Sequence, residues 1–115
     1  MANLFNNTKH VGTIGRSRAA NCLDEILCEV NDVKLIAKIS KILSFQQSES
    51  KAINSSIRHP KYRIVLLKKY RDDALGLLES VDLEKFNITK AQAKIISSLT
   101  KNAIITNYRI ALRVS

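Results

Sequence analysis

Apolar residues recur at helical spacing along most of the chain, and two sets near its start are out of phase. Within residues 18–30, one helix face collects Ala19, Leu23, Ile26, Leu27 and Val30. The next set is Val33, Ile36, Ile39 and Leu43. At 100° per residue the centres of the two faces differ by about 160°, so one straight helix cannot bury both. The pattern predicts two helices, over about 18–30 after an N-cap at Ser17 and over about 33–45 after a cap at Asp32.

The middle of the chain is predicted to hold a loop and then a third helix. The polar, serine-rich residues 44–59 form the longest predicted loop, with room for a helical turn at 49–57. Pro60 suits the first turn of a helix over about 60–81, because proline lacks an N–H that this turn would leave unbonded. The predicted inward face of this helix is Ile64, Leu67, Tyr70, Ala74, Leu77, Leu78 and Val81.

A fourth helix over about 89–101 is predicted from Thr89 and Gln92, which have the spacing of a capping box. Its predicted inward face is Ile95, Ile96, Leu99 and Ala103. Residues 103–113 are apolar enough for a fifth helix or a strand, and a helix is favoured. A turn near 100–102 would make 103–113 the second helix of a helix-turn-helix, although the glycine often found in that turn is missing.

Together these elements predict an all-α fold, a single-domain bundle of four to five helices over residues 17–115, preceded by an irregular arm at 1–16. The 115 residues include only three glycines and one proline, too few for the turns of a many-stranded β fold. No apolar run is long enough to span a membrane. The first fifteen residues lack a signal-peptide pattern, so a cytoplasmic location is expected.

The net charge of +9 lies mainly at the two ends of the sequence. Residues 86–115 contain five basic side chains and no acidic one, and residues 1–20 contain three and none. The five are Lys90, Lys94, Lys101, Arg109 and Arg113. On a helix the three lysines fall within about 40° of one another. Segment 58–85 holds seven basic and five acidic residues, so its charge is expected to be largely neutralised.

Motifs for chemistry are missing from the sequence. It contains no phosphate-binding loop, dinucleotide fingerprint, metal-binding pair or nucleophile elbow. Cys22 and Cys28 would point to different sides of a helix, and neither histidine has a partner at the spacing of metal ligands. The protein is therefore expected not to be an enzyme, with no cofactor, metal or small-molecule substrate.

A Gly-x-x-Gly pattern, Gly12 to Gly15, is followed by Arg16 and Arg18. It resembles the backbone-gripping loop of KH-type RNA-binding domains. That fold needs a strand before the loop and a sheet after it, and the sequence predicts neither. Amides at a helix start beside two arginines can still bind phosphate, so Arg16 and Arg18 are predicted as an auxiliary arm.

The leading functional hypothesis is a small basic protein that associates with DNA or RNA, as a regulator or accessory subunit. The phosphate backbone would contact Lys90, Lys94, Lys101, Arg109 and Arg113, because backbone binding needs cations that are not already paired. The chain lacks the exposed aromatic residues of a platform for stacking single strands, with Tyr62 and Tyr108 as the only candidate rings, so backbone contact rather than base readout is predicted. The alternative is a helical adaptor, inhibitor or assembly subunit. Its apolar residues 103–114 would pack on another subunit, forming a homodimer or larger assembly or binding an acidic partner.

Overall fold

The computed structural model describes residues 18–114, with side chains over 18–113, and consists almost entirely of helix. Arm 1–16 and Ser17 lie outside the described residues. The helices are α1 (Arg18–Val30), α2 (Val33–Ser56), α3 (Pro60–Glu79) and α4 (Lys90–Val114), with a 3-10 turn at Leu83–Lys85. No strand occurs among the described residues. The predicted all-α bundle is confirmed, with four helices.

The predicted break between the first two helices is present, and its backbone explains it. Asn31 adopts a left-handed conformation with φ 54°, which asparagine tolerates better than most residues. Asp32 is extended, and its carboxylate accepts a hydrogen bond from the Leu35 amide at 3.1 Å. This cap begins α2 on a new axis, so Ile36, Ile39 and Leu43 reach the core together with the apolar face of α1, whereas Val33 stays 69% exposed.

Helix α2 is eleven residues longer than predicted, and its expected end near 45 was wrong. The polar composition of residues 46–56 predicts a loop with room for a helical turn at 49–57, yet Gln46 and Ser50 are buried within the bundle. The Gln46 side-chain amide donates to the Ile104 carbonyl of α4 at 2.8 Å. Packing against α4 therefore keeps a polar segment helical, which intrinsic propensity alone does not predict.

Helix α3 begins at Pro60 as predicted and ends at Glu79. Its inward face is centred on Leu67, Ala74 and Leu78, all nearly inaccessible to solvent. Ile64 and Leu77 were predicted to face inward, but 46% and 43% of their surfaces remain exposed. Both lie at the edges of the buried face, so the predicted face was too wide.

Helix α4 is continuous, and the predicted separation of 89–101 from 103–113 was wrong. The capping box at its start is present. The backbone amide of Gln92 donates to Thr89 Oγ1 at 3.0 Å, and the backbone amide of Thr89 donates to Gln92 Oε1 at 2.9 Å. Ala103 and Ile104 are fully buried where the turn was considered. Their burial favours unbroken helix, and the helix-turn-helix alternative is excluded at this position.

Helix α4 packs against each of the other three α-helices, and α2 packs on α3. Two apolar clusters result. The large core is Ala20, Leu23, Leu27, Leu35, Ile36, Ile39, Ile42, Leu43, Ala74, Leu78, Ile96, Ala103 and Ile104. The small core is Ile53, Leu67 and Ala111, with partly buried Ile57, Leu66, Tyr70, Tyr108 and Leu112 around them. No helix within 18–114 is both long and apolar enough to cross a bilayer.

A buried polar layer separates the two cores along α2 and α4. It consists of Gln46, Ser50 and Asn107, each less than a tenth exposed. Gln46 follows the last large-core residue of α2, and Asn107 lies between Ile104 of the large core and Ala111 of the small core. The layer thus divides the bundle into a well-packed end and a sparsely packed end.

Candidate functional site

Five of the seven basic residues predicted as a site, those from Lys90 to Arg113, lie on α4 and are exposed to solvent. A helix rises 1.5 Å per residue, so Lys90 and Arg113 are separated by about 35 Å. Lys90 and Lys94 adjoin at the start of α4, and Lys101 lies about 10 Å farther along. Arg109 and Arg113 adjoin at its end. The structure therefore presents an extended set of cations rather than one compact cluster.

The cations on α4 also differ in direction around the helix. Lys90, Lys94 and Lys101 fall in one row, whereas Arg109 and Arg113 are turned about 100° from it. The two arginines lie opposite the buried face of α4 that contains Ile96 and Ile104, and the lysine row lies about 100° from that face. The five can face one broad polyanion but do not form a single line.

The charges on α4 have no ion-pair partner in the part of the chain that the structure describes. The ion pairs present there are Lys69–Asp73 at 3.9 Å and Arg71–Asp72 at 2.8 Å, both within α3. No carboxylate oxygen among residues 18–113 comes within 4.0 Å of a cation on α4. Glu84 lies nearby, because it lines the same surface depression as Lys90 and Lys94. The potential is therefore least compensated toward Arg109 and Arg113.

The remaining predicted site residues belong to the N-terminal arm. Arg18 is the first residue of α1 and is exposed. Arg16 and the Gly-x-x-Gly pattern lie outside the described residues, so the proposed phosphate-binding arm stays a prediction.

A second group of cations was missed by the sequence reasoning. Between Ser50 and Arg71 there are seven basic residues and no acidic one. The acids expected to neutralise this stretch include Glu79, which is eighteen residues from Lys61 and therefore about 27 Å away along α3. The sequence signal for this group is the absence of acidic residues from Ser50 to Arg71, ahead of the five acids within 72–84.

The small core brings this group to the same end of the bundle as the end of α4. Residues from the end of α2, the start of α3 and the end of α4 pack together there. We name the exposed cations on these segments the basic pole: Lys51, Arg58, Lys61, Lys68, Arg109 and Arg113. Asp72 and Asp73, which end the acid-free stretch, are engaged by Arg71 and Lys69. The basic pole thus combines two predicted site residues with four that were not predicted.

The two tyrosines considered for stacking differ sharply in exposure. Tyr108 is half-buried in the small core, and the Arg71 guanidinium lies over its ring at 4.7 Å from the centroid. Tyr62 is 67% exposed on the first turn of α3. Only Tyr62 of the two offers its ring to a ligand.

Metal chemistry gains no support from the described residues. Among them, no three His, Cys, Asp or Glu side chains lie close enough together to hold a metal ion. Cys22 and Cys28 are both free thiols.

Comparisons with protein-family models, with curated proteins and with solved structures find no match to this chain.

Proposed function

We propose that the protein binds nucleic acid through the phosphate backbone, without catalysing a reaction, as a regulator or accessory subunit. One observation carries the proposal: five cations on α4 are exposed, and no described carboxylate pairs with any of them. The basic pole extends this surface around one end of the bundle. Both features suit a polyanion.

Unpaired surface cations favour a polyanion for a physical reason. Each phosphate that a lysine or arginine neutralises releases condensed counterions, which drives binding and makes it salt-dependent. A cation already paired with a carboxylate would have to exchange partners, so it contributes less. Contacts of this kind position the protein on the backbone without reading bases.

The test is fluorescence anisotropy with labelled random-sequence duplex and single-stranded oligonucleotides over a salt series. Replacing Lys90, Lys94 and Lys101 with Gln removes three contacts, so the slope of log K against log salt should flatten by roughly two to three. The Arg109→Gln, Arg113→Gln variant should flatten it by roughly one to two.

A matched control lies on α2. Lys34, Lys38 and Lys41 are exposed lysines, and replacing all three with Gln lowers the net charge by the same amount. This control should leave the slope nearly unchanged if α4 makes the contacts. Equal flattening in both triple variants would instead mean that the slope depends only on net charge. Absence of salt-dependent binding would refute the proposal.

The alternative, a protein–protein adaptor, needs a different surface from the one expected. The apolar end of α4 packs inside its own bundle, where Ala103, Ile104 and Ala111 are buried. An exposed groove of about 370 Å³ between α2 and α3 supports the alternative better, because Phe45, Leu77 and Val81 line it beside Lys38 and Lys41.

An acidic, apolar helix of a partner would fit that groove, with carboxylates near the lysines. Leu77→Glu should then abolish partner binding or self-association measured by sedimentation, while nucleic-acid affinity stays close to that of the wild type. Sedimentation that does not change with protein concentration or with this substitution would remove support for the groove.

A further inference from the structure

We propose that the basic pole binds single-stranded nucleic acid, with an unpaired base stacked on the ring of Tyr62. This inference rests on the proposed function and narrows it from nucleic acids in general to strands with accessible bases. Three features carry it: the exposure of the ring, the cations near it along the chain and the small extent of the apolar surface beside it.

The Tyr62 side chain is largely exposed. It is 67% accessible, and His59, itself exposed, meets it edge-on with ring centroids 5.9 Å apart and planes at 83°. Val65, one turn farther along α3, is 63% exposed. The histidine contact orients the ring without covering it, so a flat ligand can reach it.

Exposed cations adjoin Tyr62 along the chain. Arg58 and Lys61 flank it in sequence, and Lys68 follows two turns along α3, all three exposed. The whole stretch from Ser50 to Arg71 contains no carboxylate. Proteins that bind single strands combine such a positive surface with an aromatic ring on which a base stacks.

The ligand is a single strand because a base within a duplex cannot present its face to Tyr62. An acidic protein partner fits less well. The exposed large apolar side chains at this pole are confined to Tyr62, Ile64 and Val65 among the described residues. Stable protein interfaces bury about 1,200–2,000 Å² around apolar anchors, which three such side chains do not provide.

The experiment measures anisotropy with a labelled oligothymidylate and with an abasic phosphodiester oligomer of the same length. Tyr62→Ala should weaken oligothymidylate binding by roughly 5-fold to 150-fold, the effect of losing one base–aromatic stack. Tyr62→Phe keeps an aromatic ring and should bind oligothymidylate about as tightly as the wild type does. Val65→Ala is the matched control, because it shortens a neighbouring exposed side chain and leaves the ring in place. All variants should remain folded by circular dichroism, since both positions are largely exposed.

The abasic oligomer separates stacking from charge. The wild type should bind it more weakly than oligothymidylate, and Tyr62→Ala should erase that preference. Equal affinity of the wild type for both oligomers would overturn the inference, as would unchanged oligothymidylate binding by Tyr62→Ala. An acidic polyglutamate peptide that binds as tightly as oligothymidylate, with the same dependence on Tyr62, would assign the surface to protein partners instead.

Failure of this inference is distinguishable from failure of the proposed function. If Tyr62→Ala leaves oligothymidylate binding unchanged while the α4 lysine variant still flattens the slope of log K against log salt, backbone binding is supported and base stacking is refuted. If neither oligomer binds with salt dependence, the proposed function and the stacking inference are both refuted.

Discussion

The two ends of the bundle differ in packing and in charge. The large core contains thirteen buried apolar residues from all four helices, whereas the small core contains three, from α2, α3 and α4. The large-core end also carries acidic residues, Glu79 and Glu84 among them, whereas the small-core end carries the basic pole. The better-packed end is thus closer to electrical neutrality.

This difference has a consequence for stability. Like charges close together oppose compaction, and the small core has few buried side chains to offset that repulsion. We therefore expect the large core to hold the fold and the small-core end to open more readily. A polyanion bound to the basic pole would relieve the repulsion and stabilise that end.

The largest expected effect comes from truncating one leucine in each core. Leu43→Ala in the large core should lower the free energy of unfolding by about 3–5 kcal/mol, through lost burial and an unfilled cavity. Leu67→Ala in the small core should lower it by about 2–3 kcal/mol, because its partly buried neighbours can relax into the space. Urea denaturation followed by circular dichroism measures both.

The difference between those two variants is the informative quantity. Both leucines are almost completely buried, so their transfer free energies are similar, and only the surroundings differ. Equal losses, or a larger loss for Leu67→Ala, would show that the small core is as tightly constrained as the large one.

A smaller effect of opposite sign is expected in the polar layer. Asn107 is 4% exposed, and neither polar atom of its side chain has a hydrogen-bond partner among the described residues. Burying an amide without partners costs about 1–3 kcal/mol. Asn107→Leu removes that penalty at similar volume, so it should raise the free energy of unfolding by about 1–2 kcal/mol.

The same substitution would extend apolar packing from the large core toward the small core on α4. Hydrogen exchange should then slow most at the end of α4 and the start of α3, bringing the two ends closer in local stability. Gln46→Leu is the matched comparison, because Gln46 does donate a hydrogen bond, to the Ile104 carbonyl. If Asn107→Leu destabilises the protein as much as Gln46→Leu, Asn107 has a stabilising role that its contacts do not reveal.

The large-core end was the easier one to predict from sequence. The phase shift between the first two apolar sets located the break at Asn31, and the Thr89–Gln92 spacing located the start of α4. Both signals are local, because a cap depends on residues within one turn. Such local rules apply whatever the tertiary structure is.

The small-core end was harder because tertiary contacts decide its structure. Residues 46–56 look like a loop until α4 supplies the carbonyl that Gln46 binds. The basic pole was likewise hidden, since its cations come from three segments that meet only in the folded bundle. The α4 cations were found because they share one helix, although their separation into two groups required the structure.

The smallest expected effect concerns the helix starts at the two ends. Thr89 caps α4 reciprocally with Gln92, whereas His59, at the start of α3 near the basic pole, makes no side-chain capping bond. Thr89→Ala should therefore lower the free energy of unfolding by about 1 kcal/mol, the usual value of a lost N-cap. His59→Ala removes no cap and should change it by less than about 0.5 kcal/mol. Thermal and urea denaturation of the two variants side by side measures the contrast.

A loss of stability in His59→Ala equal to that in Thr89→Ala would mean that the edge-on contact with Tyr62 stabilises α3 as much as a cap does. In that case the ring would be part of the fold at this end, and the two helix starts would differ in chemistry rather than in strength.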